Sequence, residues 1–346
     1  MKAVILVGGQ GTRMRPLTDH LPKNIVPLCG TPFLTYQIEY LKGVGIRDIV
    51  FSIGYRPKDI RKVYGDGRRL GVKIHYALEK EPLGTAGAIK NSEKFVTGHP
   101  LVVLNGDILT DIPLKKMIAF HYQKKNQATL GLFRVEDPTA YGLVLLDEKA
   151  RIVRFLEKPK PEEVVTDTIN AGVYIFEPEV LARIPSGVAY SAERALFPGL
   201  LEARVPFGGF VWKGYWQDIG TPRKYLTTQW DVLNGFFPVY GRYRKKGKGL
   251  YLGPGVRIGK GAVVRGPALV GSGCVISPGA KILPYSVLGE KCVIGRGSVV
   301  SKSLLWDGVQ VGESVQLEEV VLGRHCVVPS GALVPGNTVL GDRSKL

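Results

Sequence analysis

The chain has 346 residues, 45% hydrophobic and 22% charged, which is ample for buried cores and argues against wholesale disorder. A formal net charge of +17 favours acidic partners, such as nucleotides, sugar phosphates or nucleic acid, without choosing among them. Two domains suit this length, no apolar stretch approaches the ~20 residues that cross a bilayer, and four widely spaced cysteines indicate neither a zinc site nor a disulfide framework.

The N-terminal "MKAVILVGG" carries one basic residue and an apolar run too short for a secretory leader, so a reducing cytoplasm is the expected compartment. "AVILV" reads as a first strand buried on both faces, and "DIVFSI" as a second. Between them, "TPFLTYQIEYLKG" predicts a helix. Thr31 would cap it, Pro32 would take its first position, Leu34, Ile38 and Leu41 would share one face, and Gly43 would end it. "VKIHYAL", "LVVLNGD" and "ATLGLFRV" read as strands, with the helical "PLKKMIAFHYQKK" between the last two. Strands alternating with helices predict an α/β fold with a Rossmann-like, mostly parallel sheet. "YGLVLLDEKARIVRFLEK" predicts a hairpin added to that sheet, and "TPRKYLTTQWDVL" repeats the Thr-Pro helix start.

The rhythm changes near residue 236. Seventeen of the 44 glycines fall in residues 251–346. From Leu252 an aliphatic residue recurs every sixth position: Ile258, Val264, Val270, Ile276, Ile282, Leu288, Ile294 and Val300. Small residues follow four positions on, among them Ala262, Cys274, Ala280, Cys292 and Ser298. The phase breaks near Trp306 and resumes at Leu322, Val328, Val334 and Leu340. A period of six predicts a hexapeptide-repeat parallel β-helix, with the aliphatic residue inside the coil and the small one permitting the turn. Cys274, Cys292 and Cys326 take the small interior position, which predicts packing and no chemistry for them. The expected organisation is a domain over 1–235, a basic linker over 236–250 and the β-helix over 251–346. Five basic residues between Arg242 and Lys248, near two tyrosines, would suit nucleic acid. No recognition fold accompanies them, so a solvated connector and no nucleic-acid partner are expected.

The turn after the first strand holds the first chemical signal. Gly8, Gly9 and Gly11 allow backbone N–H groups close to phosphate oxygens, and Arg13 and Lys23 can place two cations on one polyphosphate. No Gly-Lys-Ser/Thr follows, which excludes a Walker loop, and Met14 stands where a dinucleotide fingerprint needs its third glycine.

The whole stretch, "GGQGTRMRPLT" followed by "PK", resembles the signature of the sugar-nucleotide pyrophosphorylases, or nucleotidylyltransferases. Further matches follow in that family's order: "EPLGTAGA" (81–88), "NGD" (105–107), "EKP" (157–159), "NAGVY" (170–174) and "WQDIGTP" (216–222). Together they cover roughly residues 1–233, and the family often carries a C-terminal left-handed β-helix. Val7 and Asn24 depart from the usual Ala and Pro, without loss of a charge or a ligand.

The resemblance implies a reaction of NTP with a sugar 1-phosphate to give NDP-sugar and pyrophosphate. The attacking phosphate oxygen is already a nucleophile, so positioning and charge neutralisation carry the catalysis. Arg13 and Lys23 are the implied catalytic cations. Leu6, Gly8, Gly9, Gly11, Thr12, Arg13, Glu79, Gly84, Thr85 and Asn105 would bind the nucleotide. Gly142, Glu157, Lys158 and Asn170 would bind the sugar phosphate. Asp107 and Asp218 would hold Mg²⁺, a hard cation suited to carboxylate and phosphate oxygens. Within the family the motifs look most like those of the mannose-1-phosphate guanylyltransferases, which implies GTP and mannose 1-phosphate. Glucose-1-phosphate uridylyl-, thymidylyl- and adenylyltransferases stay open as alternatives. A second, acyltransferase activity in the β-helix would have to use His325, the one histidine of the repeat region. The exposed coil faces and open end predict a homo-oligomer, and no membrane partner is expected.

Overall fold

The computed structural model describes residues 1–247 and 249–346; Lys248, part of the expected basic linker, lies outside the described residues. The chain divides into two compact units, Met1–Gly9 with Tyr36–Gln217 and Gln10–Thr35 with Asp218–Leu346. The segment carrying Arg13 and Lys23 therefore groups with the C-terminal half.

Among the described residues the first unit is built on nine strands: β1 (Lys2–Leu6), β2 (Asp48–Ile53), β3 (Lys73–Leu78), β4 (Leu101–Asn105), β5 (Ala128–Arg134), β6 (Gly142–Leu146), β7 (Ile152–Glu157), β8 (Thr168–Phe176) and β9 (Phe207–Trp212). They form one sheet in the order β7-β6-β8-β4-β1-β2-β3, with β5 against β8 and β9. Strands β4, β1, β2 and β3 run parallel, with Val4 level with Val50 on one side and Val103 on the other. Their continuous apolar sequences suit strands covered on both faces; Ala3, Val4 and Ile5 are fully buried. Strand β8 runs against β4 and β5, and β6–β7 is the expected hairpin. One core cluster joins Val4, Val50, Val103, Leu130 and Leu132 to Tyr174, Phe176 and Phe197.

One local expectation fails. Thr31 and Pro32 do not start the first helix, which spans Leu34–Gly43. They pair instead with Pro27 and Leu28 in a tight hairpin. Cys29 and Gly30, both at positive φ (44° and 77°), make its turn. The second Thr-Pro behaves as expected: Thr221 Oγ1 accepts from Lys224 N at 3.3 Å and caps the helix Pro222–Leu233. The tertiary partner of Pro27–Leu28 decides between the two outcomes.

In the second unit, residues from Leu250 onward wind into a parallel β-helix of three sheets among the described residues. Most of the expected interior residues stack as one core, from Val270 and Cys274 to Cys326 and Val328, with Leu252, Val264, Val334 and Leu340 partly buried against it. Ile258, expected inside, is 46% exposed, because its strand ends its sheet and has a neighbouring coil on one side alone. All four cysteines are free thiols and buried. The phase break has a simple geometry. Leu252 pairs with Val270 and Val270 with Leu288, eighteen residues apart. Leu288 pairs with Leu305 and Leu305 with Leu322, seventeen apart. Two coils are thus one residue short, at corners where Lys302 and Glu319 take positive φ. Arg244–Lys246, inside the expected linker, form a strand antiparallel to Leu250–Leu252.

Candidate functional site

In the first unit the predicted nucleotide residues lie at the carboxyl ends of the parallel strands, where open α/β sheets place ligands. Leu6 of β1 is level with Asn105 of β4, and Gly106 N donates to Leu6 O at 2.9 Å. Two turns, Val7–Gly9 and Asn105–Asp107, therefore leave the sheet side by side. A Cβ on Gly8 would lie 3.2 Å from Glu79 Oε1, whereas Gly9 faces open space.

Glu79, at the end of β3, is occupied by its own protein. Its carboxylate accepts from Ser52 Oγ at 3.4 Å and from Leu83 N at 3.1 Å. It thereby holds the start of the 81–88 loop. Gly84 has φ +67°, and a Cβ there would sit 3.0 Å from Tyr190 O, so only glycine suits this entry to the helix Gly84–Asn91. Thr85 is a latch: its hydroxyl donates to Glu193 Oε2 and accepts from Ala192 N, both at 2.7 Å.

The turn that bears Asp107 is held from below. Gln37 Nε2 donates to Asn105 O and to Ile108 O, both at 2.8 Å. Asn105 Oδ1 is buried with no hydrogen-bond partner among the described residues.

The predicted sugar-phosphate residues gather on β6, β7 and β8. Gly142 pairs with Glu157 across the hairpin. A Cβ on it would lie 2.7 Å from the Phe155 ring and 3.0 Å from Glu157 Oε2. Asn170 stands at an irregularity of β8, where the register slips before Val173. Its amide donates to the Tyr174 hydroxyl at 3.0 Å and its carbonyl accepts from Gly172 N at 3.1 Å. Burial, and next the negative charge of Glu193, push the Glu157 carboxyl above its ordinary range. Lys158 is exposed, at positive φ (49°), with its N–H on Tyr141 O at 3.3 Å.

In the second unit the loop Gln10–Lys23 closes on itself. Gly11 has φ +68°, and a Cβ there would come within 2.9 Å of Lys23 Cβ. Thr18 Oγ1 donates to Gly11 O at 2.8 Å. Thr12 and Arg13, both exposed, open a short 3-10 turn. A Cβ on Gly220 would meet Asp218 Oδ1 at 2.5 Å and Arg13 Nη2 at 3.1 Å, so the guanidinium and the carboxylate both border this glycine, which leaves room for them. Asp218 is largely buried; Gly220 N donates to its Oδ1 at 2.9 Å and the Lys224 ammonium binds its Oδ2.

Among the described residues no group of three or more His, Cys, Asp or Glu side chains makes a protein-only cage. His325 takes a coil corner with φ +56°, its N–H on Asp307 O.

Three residues escaped the sequence reading. Gln37 was visible as a polar residue on the apolar face of its helix. Glu193 and Lys224 gave no motif signal; only folding brings Glu193 to Thr85, and only the helical turn after Thr221 brings Lys224 to Asp218.

The family described as Nucleotidyl transferase matches residues 2–235, and that described as EIF2B subunit epsilon LbH domain, a left-handed β-helix, matches residues 247–346. The chain is 42% identical over 237 residues to the Mycobacterium tuberculosis protein named mannose-1-phosphate guanylyltransferase. That match covers 68% of this chain and 66%, just under two thirds, of the relative. An Oryza sativa protein named "Probable mannose-1-phosphate guanylyltransferase 1" is 35% identical over 99% of this chain and 91% of its own length. Among solved structures, HddC from Yersinia pseudotuberculosis complexed with GMP-PN superimposes with a TM-score of 0.57 at 30% identity. It covers 66% of this chain and 97% of HddC. A single family match over more than half the chain, joined to a relative aligned along nearly all of it, places this chain in the nucleotidyl transferase family.

Proposed function

We propose that the chain transfers a nucleotidyl group from GTP to mannose 1-phosphate, giving GDP-mannose and pyrophosphate. The observation that carries this reading is the cluster in the second unit, where Lys23 packs against Gly11 and both Arg13 and Asp218 border Gly220. It offers cations for phosphate and a carboxylate for a metal. The reaction needs no Ser, Cys or His nucleophile or base, because the attacking phosphate oxygen is already a nucleophile. The names of the relatives support GTP and mannose as the pair.

A phosphate oxygen of mannose 1-phosphate attacks the α-phosphorus of GTP. The new P–O bond forms as the α–β bridging P–O bond breaks, and its electron pair leaves with pyrophosphate. Arg13 is assigned to the departing pyrophosphate and Lys23 to the α-phosphate. Lys158 is assigned to the sugar phosphate, and Glu157 and Asn170 to sugar hydroxyls. A divalent cation, when bound, would neutralise phosphate charge, and Asp107 and Asp218 are the residues assigned to hold it. We further assign a homo-oligomer assembled through the β-helix and a cytoplasmic location, which suits four buried free thiols.

Pyrophosphate release over a panel of NTPs and sugar 1-phosphates with Mg²⁺ tests the reading. Turnover is expected with GTP and mannose 1-phosphate. Faster turnover with UTP, dTTP or ATP and glucose 1-phosphate reassigns the substrates, and no turnover with any pair refutes the reaction. Asp107→Asn and Asp218→Asn should each nearly abolish the activity; wild-type rates would remove the metal assignment.

A further inference from the structure

We infer that Trp306 is a positioning residue for the loop that carries Lys23, acting from the β-helix through Tyr225. The inference rests on the proposed function only in assigning that loop to the triphosphate.

Trp306 occupies an exceptional place in the repeat. The position after each interior aliphatic residue of the first sheet is otherwise glycine among the described coils: Gly253, Gly271, Gly289, Gly323 and Gly341. The reason is steric. A Cβ on Gly253 would stand 2.5 Å from Ser272 N, and one on Gly323 would stand 2.7 Å from Asp342 N. The coil that carries Trp306 breaks this rule, and its large side chain is still only 1% exposed.

What it touches explains the exception. The indole Nε1–H donates to the Tyr225 hydroxyl at 3.2 Å, and the two rings meet edge to face at 6.4 Å. The Tyr225 hydroxyl in turn donates to Pro27 O. Gln229, one helical turn on, donates to the same carbonyl at 3.1 Å and accepts from Cys29 N at 2.7 Å. Tyr225 and Gln229 are fully buried. The helix Pro222–Leu233 thus grips the Pro27–Pro32 hairpin with one face and the β-helix with another. On that second face Arg223 binds Glu319 and Trp230 packs on Tyr285.

The path from Pro27 to Lys23 is short and hydrogen-bonded, since Val26 N donates to Lys23 O at 3.3 Å. The far side of the loop also rests on the β-helix, where a Cβ on Gly341 would lie 3.1 Å from Pro16 Cβ. A loop that grips phosphate gains from being held before the ligand arrives, because a small misplacement of a cation weakens its action. The same helix begins just after Asp218 and carries Lys224, so the indole braces both halves of the cluster.

The test compares Trp306→Phe, which keeps a ring and deletes the N–H donor, with Tyr225→Phe, which deletes the bond to Pro27. Hydrogen exchange is followed at the amides of Met14, Ile25 and Val26, and KM is measured separately for GTP and for mannose 1-phosphate. In both variants exchange of the loop amides should quicken, and KM for GTP should rise roughly three- to tenfold, the effect of one lost buried hydrogen bond. KM for mannose 1-phosphate should stay within about twofold, because its assigned residues belong to the first unit. A merely structural role would lower the melting temperature and leave the GTP KM alone. Unchanged loop exchange and GTP KM in a folded Trp306→Phe protein would overturn the inference, and Tyr225→Phe gives the same decision if the first variant does not fold. If the wild-type protein turns over no substrate pair, the proposed function fails, while the exchange data still decide whether Trp306 restrains the loop.

Discussion

Gln37 offers the sharpest test of how the site is held. It is buried, 4% exposed, and its amide spans the turn that bears Asp107, binding Asn105 O and Ile108 O. Gln37→Met preserves length and removes both donors. Each lost bond is worth roughly 0.5–1.5 kcal/mol, and buried carbonyls left without a partner add to that. A loss of about 2–4 kcal/mol of folding stability is expected by urea denaturation. The freed turn should also displace Asp107, so kcat for pyrophosphate release should fall by about 10- to 100-fold. Gln37→Glu adds a pH signature. An ionised carboxylate cannot donate to either carbonyl, so folding raises the pKa of the introduced acid above its unfolded value of about 4.3. The variant is then least impaired below that unfolded value and loses stability as pH rises through the raised folded pKa. A Gln37→Met protein within about 0.5 kcal/mol of wild type, with normal kcat, would refute the reasoning.

Four further outcomes are expected. Gly142→Ala puts a Cβ against Phe155 and the Glu157 carboxylate; steady-state kinetics should show a raised KM for mannose 1-phosphate and an unchanged KM for GTP. Folding raises the Glu157 pKa, so its ionisation opposes the fold at neutral pH and not below the unfolded carboxylate range. Denaturation should therefore find Glu157→Gln level with wild type in acid and more stable at neutral pH; the reverse order would refute the shift. Lys224→Met leaves the Asp218 carboxylate without its ammonium; it should cost about 1–3 kcal/mol without metal, and Mg²⁺ should raise its melting temperature more than that of wild type. Light scattering should return a mass at least twice the 37.8 kDa of one chain, and a 37.8 kDa particle would remove the oligomer assignment.

Much of the architecture was legible before folding because it depends on local periodicity. A six-residue spacing of aliphatic side chains can bury its apolar stripe only by coiling, and near-continuous apolar runs bury theirs only in a covered sheet. Charges and glycines close together in sequence, such as Gly11, Arg13 and Lys23, were legible for the same reason. What escaped was long-range. Identical Thr-Pro pairs at Thr31 and Thr221 took different structures because Pro27–Leu28 offered a pairing partner to the first alone. Glu79 and Thr85, expected at the nucleotide, are first of all fasteners of their own loop through Leu83, Ser52 and Glu193.

The sequence by itself determined the two architectures, the order of the motifs and the chemical types in the site. Only the tertiary structure decided which groups meet: Gln37 beneath the Asp107 turn, Lys224 on Asp218, Glu193 beside Glu157, and Trp306 behind the Lys23 loop. The physical reason is range. Periodicity and turn chemistry act over a few residues, whereas buried donors and charges are satisfied by whatever partner the packed chain supplies, even across the 202 residues that separate Pro27 from Gln229.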